Sequence, residues 1–339
     1  MKDYIITAEN IQLLVNDVLK QGWDVVSESK TGVNFNAIKD ASELAIKSDS
    51  KPSKLSMKDF FFPKTEPLFF YRQSHDGVEL VDASPIEKKT LFLGAKPCDA
   101  AAIPVLSKVF NWDYKDEFYN KRVENSVVVS LKCNYSDDYC FCTSIGLSQK
   151  AEQGSDAMLT EQQDGSYFLH IVTEKGDEFF KMYSQYLKDT QAENNKPVES
   201  KYPEPAVKFD QGKVKGWLDA NFEHDFWNNL GDVCLGCGQC TFVCPTCHCF
   251  DIVDENCNYH EGGRMKNWDS CQLCLFTKHA SGHNPRDGQT KRYRQRIQHK
   301  FKYYEDKFNE VLCTGCGRCT RGCGVGIDIG GIMERIDKF

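Results

Sequence analysis

No stretch of the chain approaches the ~18 consecutive apolar residues that a membrane-spanning helix requires, so no membrane association of that kind is expected. The first ten residues hold no apolar run followed by a small-residue cleavage site, and a secretory leader is not expected either. Positive charge is in deficit. The 42 Lys and Arg against 49 Asp and Glu give a net charge of −7, which argues against a general affinity for nucleic acid. Several catalytic signatures are missing as well. There is no G-x-G-x-x-G between a strand and a helix, no G-x-S-x-G, no H-E-x-x-H and no P-loop. Gly324-Val-Gly326-Ile-Asp-Ile-Gly330 is glycine-rich but follows a cysteine rather than a strand. The chain therefore offers no evident seat of its own for a flavin or NAD(P). No period of 20–50 residues repeats, apart from one twinned cysteine run.

Cysteine is what the chain has in excess: seventeen in 339 residues. In a chain without a leader these thiols sit in a reducing cytosol, where clustered cysteine means metal rather than disulfide. So many thiols in one cytoplasmic chain also suggest an oxygen-poor setting. Eight of them fall in the twinned run. Cys234-Leu-Gly-Cys237-Gly-Gln-Cys240-Thr-Phe-Val-Cys244-Pro245 and Cys313-Thr-Gly-Cys316-Gly-Arg-Cys319-Thr-Arg-Gly-Cys323 both read C-x2-C-x2-C-x3-C. That is the bacterial ferredoxin run, in which three thiolates hold one [4Fe-4S] cluster and the fourth reaches across to the other. Crossed ligation assigns Cys234, Cys237, Cys240 and Cys323 to one cluster, and Cys313, Cys316, Cys319 and Cys244 to the second. Structural zinc is disfavoured, because it prefers two separated C-x2-C knuckles to a continuous run.

Four cysteines lie upstream. Thr90-Leu-Phe-Leu93 reads as a buried strand that turns at Gly94-Ala-Lys-Pro97 into a helix beginning near Asp99, which places Cys98 at a helix start, where a lowered pKa is expected. Ser126-Val-Val-Val-Ser-Leu131 reads as a second buried strand ending at Cys133, and Cys140 and Cys142 follow in the next loop. If the two strands are parallel, all four thiols gather at one end of the sheet, where α/β folds collect their sites. The residues alone leave two readings level, a third cluster or inert core thiols. A further group, Cys247, Cys249, Cys271 and Cys274, with His248, His260 and Cys257 nearby, fits zinc, another cluster, or a lining that ligates nothing.

The rest of the chain sets the architecture. Residues 9–21 carry apolar side chains at helical spacing, residues 167–172 read as a strand, and residues 177–187 as a helix. The aromatic stretches Phe60-Phe-Phe62 and Leu68-Phe-Phe-Tyr71 read as core or subunit contact. Residues 189–212 are polar and proline-containing, which marks a linker; residues 213–230 read as one helix feeding the first cysteine run, and Gly331 to Ile336 as another. The expected fold is an α/β N-terminal domain (residues 1–188) and, after the linker, a mostly α-helical ferredoxin-like domain (213–339) with a long insertion between the runs. The basic segment Lys291-Arg-Tyr-Arg-Gln-Arg-Ile-Gln-His-Lys-Phe-Lys302 reads first as a solvated helix face, then as a dock for an acidic carrier, and last as a nucleic-acid patch.

With these motifs in place, the sequence resembles the iron–sulfur beta subunit of soluble NAD(P)H-linked [NiFe] hydrogenases (sulfhydrogenases) and the related iron–sulfur component of anaerobic sulfite reductase. The resemblance runs from about Phe60 to the C-terminus. It rests on Gly94-Ala-Lys-Pro-Cys98-Asp99, Asp138-Tyr-Cys140-Phe-Cys142, Cys240 through Cys249-Phe250, Trp268-Asp-Ser-Cys271, Ser281-Gly-His-Asn284-Pro-Arg286 and Cys313 through Cys319. It implies an anaerobic electron-transfer subunit without catalysis of its own, relaying between an NAD(P)H-binding flavoprotein and a catalytic subunit of hydrogenase or sulfite-reductase type. It also implies the third cluster, on Cys98, Cys133, Cys140 and Cys142, and leaves Cys247, Cys249 and Cys271 open. Cys274 is absent from some relatives, and Gly324 stands where the family usually has proline. A subunit of an electron-bifurcating complex, or a chain that itself reduces a substrate at an open cluster or metal site, are the alternatives.

Overall fold

The computed structural model describes residues 3–83, 88–190 and 196–339. Twelve strands occur among them: β1 (Asp3–Thr7), β2 (Asp24–Glu28), β3 (Phe35–Ile38), β4 (Thr65–Ser74), β5 (Gly77–Asp82), β6 (Thr90–Ala95), β7 (Ser126–Leu131), β8 (Ala157–Glu161), β9 (Ser166–Ile171), β10 (Lys188–Asp189), β11 (Phe250–Asn256) and β12 (Glu261–Trp268). Eight form one sheet in the order β10-β1-β9-β8-β7-β6-β2-β3. Its centre is parallel: β2 pairs with β6, β6 with β7 and β7 with β8 in the same direction. Parallel strands are covered on both faces and so read as unbroken apolar runs, and every residue of β7 is buried. The helix Ala8–Lys20 packs Ile11, Leu14, Val15 and Val18 onto this sheet, with the Thr7 side chain capping its start. The expected parallel pair and N-terminal α/β domain are therefore present.

The expectation of a mostly α-helical C-terminal half is corrected. Between the cysteine runs the chain forms the antiparallel hairpin β11–β12, which joins β4 and β5 from the N-terminal half in a second sheet, ordered β11-β12-β4-β5. Gly262 and Gly263 interrupt the residue alternation that would announce β12. A Cβ at Gly262 would stand 2.4 Å from the Tyr71 hydroxyl and 2.8 Å from the Glu255 carbonyl oxygen, and one at Gly263 would stand 3.0 Å from the Phe70 ring. The seam is held by a buried charge group. Lys266 of β12 contacts Glu66 of β4 (2.5 Å) and Asp116 (3.0 Å), and Glu66 also pairs with Arg122. The helix expected over 213–230 is two, Gln211–Ala220 and Phe226–Val233, and the one expected over 177–187 runs earlier, Glu174–Met182, capped by Thr173. A second apolar core, including Trp227, Tyr293, Ile297, Phe301, Ile329 and Met333, lies beneath the cysteine runs.

Candidate iron–sulfur centres

The two cysteine runs adopt the same backbone. In each, two glycines take left-handed φ angles, Gly236 (+66°) and Gly238 (+74°) in the first and Gly315 (+61°) and Gly317 (+68°) in the second. Glycine alone adopts that conformation freely, and a single helical turn follows, Gln239–Phe242 or Arg318–Arg321. Cys234, Cys237 and Cys240 line one cavity, and Cys323 of the other run lines it with them. This is the grouping that the crossed spacing requires. Cys319 adds a fifth sulfur, and Tyr293, Ile327 and Ile329 supply apolar wall. N–H donors face the sulfurs: Gln289 Nε2 stands 3.1 Å from Cys234 Sγ, and the Ile327 amide 3.3 Å from Cys323 Sγ. Burial pushes the Cys240 thiol up to about 12.

Cys244 reaches in the opposite direction. It is an electrostatic neighbour of Cys313 and Cys319, and after burial its charge helps to raise both thiols. Lys300 Nζ lies 3.3 Å from Cys244 Sγ, 3.2 Å from Thr246 Oγ1 and 2.7 Å from the Leu312 carbonyl. The Gly315 amide donates to Cys313 Sγ at 3.4 Å, and burial pushes Cys313 up to about 12. The fourth expected member, Cys316, is an electrostatic neighbour of Cys319 and also lines the wall of a third cavity.

That third cavity lies at the C-terminal ends of β6 and β7. Cys98, Cys133, Cys140 and Cys142 all line it, with Pro97, Tyr135, Gly315 and Pro205. With Cys316 five thiols surround this hollow, and the four that the sequence groups here are the donor set of an iron–sulfur cluster. The lowered pKa expected for Cys98 is corrected: burial, and then the charge of Asp99, raise it well above the ordinary thiol value. Burial also pushes Cys140 up to about 11 and Cys142 to about 12. Without a metal these thiols are protonated at neutral pH, so metal binding here displaces protons.

Two arginines that the sequence reading passed over fix the second run against this cavity. Arg318 pairs with Asp99 at 2.8 Å, both side chains being 1% exposed or less, and donates to the Ser53 carbonyl at 2.7 Å. Arg321 grips Asp137 through two 2.7 Å bonds and reaches Cys140 Sγ at 3.1 Å. Part of the segment expected to be a linker bonds to the same loop. Ser136 and Thr143 donate to the Pro203 and Pro205 carbonyls, and the Lys208 amide donates to Ser144 Oγ.

The last cysteine group divides. Cys247, Cys249 and Cys271 line one small cavity with His248, His299, Arg296 and Lys300, whereas Cys274 is exposed beside a different hollow. Cys257 is exposed in the hairpin β11–β12. A hydrogen bond from Cys249 holds Cys271 down at about 6. Burial keeps His248, at about 4, and His299, at about 3, neutral. Among the described residues no three His, Cys, Asp or Glu side chains converge on a single ion position, in this group or in the other cysteine groups.

The basic segment 291–302 is not a solvated face. Tyr293, Ile297 and Phe301 enter the core while Arg296 and Lys300, both 2% exposed, turn onto the cysteines. The signal was the i, i+4 spacing of those three apolar residues within the charge run.

A family model described as 4Fe-4S dicluster domain matches residues 233–327. The chain is 31% identical over 306 residues to sulfhydrogenase 2 subunit beta of Pyrococcus furiosus, an alignment that spans 89% of this chain and 88% of that protein. Among the described residues no helix is long and apolar enough to cross a membrane.

Proposed function

The chain belongs to the family of iron–sulfur beta subunits of sulfhydrogenases, and on that premise we propose that it is the electron-relaying subunit of an anaerobic oxidoreductase complex, holding three [4Fe-4S] clusters. Cys234, Cys237, Cys240 and Cys323 would hold the first, Cys244, Cys313, Cys316 and Cys319 the second, and Cys98, Cys133, Cys140 and Cys142 the third. Bound there, an iron–sulfur cluster takes up and releases electrons without making or breaking a substrate bond.

One observation carries the reading. The second cysteine run stands between the other two thiol cavities and lends a sulfur to the wall of each, Cys319 to one and Cys316 to the other. Three thiol sites joined through one shared loop form a conduit. The chain's own residues serve that role by excluding water and by aiming donors at sulfur. Tyr293 and Ile329 close the first cavity, and the amides of Gly315 and Ile327 and the Gln289 side chain point at thiols. Such hydrogen bonds favour the reduced, more anionic state and so tune potential. Cys237 and Leu235, both exposed, leave the first site open to a partner, while the N-terminal site sits at the far end of the series.

In this reading a flavoprotein that binds NAD(P)H engages one end and a catalytic subunit of hydrogenase or sulfite-reductase type the other, in the cytoplasm. The division proposed is 1–188 and 213–339 joined by 189–212; the helix Gln211–Ala220 begins two residues inside that joining segment, and the hairpin β11–β12 returns the third segment to β4 and β5 of the first. Affinity purification without oxygen, followed by mass spectrometry and activity assays, tests the proposal. A flavoprotein together with a nickel–iron or siroheme protein is expected, and the isolated chain should exchange electrons with viologens yet turn over no substrate. A chain recovered alone that reduces protons, sulfite or NAD(P) by itself would overturn it.

A further inference from the structure

Arg296 and Lys300 are buried cations that touch sulfur without a carboxylate partner; Lys96, 2% exposed near Cys133, has no carboxylate partner among the described residues either, but it donates to the Lys47 and Ser48 carbonyls rather than to a thiol. Arg318 and Arg321 are each neutralised by a carboxylate, Asp99 and Asp137. Among the described residues, Arg296 and Lys300 make no ion pair with any carboxylate. Their partners are sulfur and neutral oxygen: Cys244 Sγ (3.3 Å), Thr246 Oγ1 and the Leu312 carbonyl for Lys300, and Cys247 Sγ (3.3 Å) and the Cys240 carbonyl (2.9 Å) for Arg296. Lys58, 4% exposed, adds a third such cation, donating to the Cys247 carbonyl at 3.0 Å and lying 3.9 Å from the centre of the Trp268 ring.

Burying a cation without a counter-charge is costly, and a fold keeps several together only where an anion offsets them. The anion available is the thiolate-bound cluster. Four thiolates outweigh the positive core they hold, and each added electron deepens the negative charge, so a nearby fixed cation favours the reduced form. Lys300 also sits on a π-helical turn, His299–Tyr303, a local irregularity that concentrates at functional sites.

We infer that Lys300, with Arg296 behind it, raises the reduction potential of the centre bound through Cys244 above those of the other two, making it the place where an electron rests between partners. The inference depends on the three-cluster reading and adds an order of potentials to it. Both side chains line the small Cys247 cavity, but only Arg296 also lines the first cluster cavity, while Lys300 contacts Cys244, so the two side chains have separable effects on the clusters.

The test is a redox titration of the full chain, purified without oxygen and followed by EPR, with iron and sulfide measured on each sample. In the wild type, one cluster should be reduced ahead of the other two; co-titration of all three would overturn the inference, and this arm needs no variant to fold. In Lys300→Gln the reduced-to-oxidised ratio of that early cluster, at a fixed potential, should fall tenfold or more, ~59 mV for one electron, with the other two unmoved. Lys300→Arg should restore it, and Arg296→Gln should lower two components. An early cluster unmoved in Lys300→Gln, or all three moving equally, refutes the assignment. A wild type without clusters refutes the parent reading instead, and the iron analysis tells the two failures apart.

Discussion

The buried pair Asp99–Arg318 offers a sharp test of how the second cysteine run is fixed to the N-terminal cavity. Asp99 adjoins Cys98, and Arg318 lies between Cys316 and Cys319; their side chains are 0% and 1% exposed and 2.8 Å apart. Truncating one partner strands the other charge in the interior, which costs about 3–5 kcal/mol. Arg318→Met and Asp99→Leu should therefore each reduce stability by about that amount, raising the unfolded fraction a hundredfold or more at about 1.4 kcal/mol per factor of ten. Replacing both leaves no orphan charge, so the double variant should recover most of the loss, although the Arg318 bond to the Ser53 carbonyl is not replaced. Urea unfolding without oxygen, followed by far-UV circular dichroism and by visible cluster absorbance, measures each variant. Single variants within about 1 kcal/mol of wild type, or a double variant that loses the sum of both, would show that the pair does not fasten the run.

Other predictions rest on separate contacts. Gly315→Ala would place a Cβ 2.4 Å from the Cys142 amide nitrogen at a φ of +61°, so a loss of about 2–4 kcal/mol is expected in the same urea assay. Gly324→Ala meets nothing within 4 Å and should stay within about 0.5 kcal/mol. Cys142→Ser should lower the iron content by about four atoms per chain and leave the other two EPR signals in place; an unchanged iron count would remove Cys142 from the ligand set. Burial alone would raise the Asp137 pKa, but the Arg321 contacts outweigh it and hold the carboxyl at about 2 against an ordinary 3.8. A depressed carboxyl contributes stability that is complete above 3.8 and lost as pH falls to about 2. The stability gap between wild type and Arg321→Gln should accordingly narrow across that window, and a gap independent of pH would contradict the assignment.

The strands at the heart of the fold were legible because parallel burial leaves unbroken apolar runs, as in Thr90–Ala95 and Ser126–Leu131. The twinned cysteine spacing was legible for a different reason: a loop that wraps sulfur around a compact inorganic core has little freedom in length. The hairpin β11–β12 was not, because Gly262 and Gly263 look like breakers until the close approach of Tyr71 to the first and Phe70 to the second is seen. The burial of Arg296 and Lys300 ran against the usual meaning of a charge run, since the anion that compensates them is no side-chain carboxylate. Arg318 and Arg321 were hidden for a related reason. Their partners Asp99 and Asp137 lie 219 and 184 residues away, and no local pattern links positions so far apart.

Metal bound by thiol is tested most directly by one measurement: iron and acid-labile sulfide per chain, with EPR of the reduced protein, on material purified without oxygen. About twelve irons and as many sulfides are predicted, in three magnetically distinct clusters. About eight irons would remove the N-terminal site, and a folded, iron-free protein that still passes electrons in its complex would contradict the account as a whole.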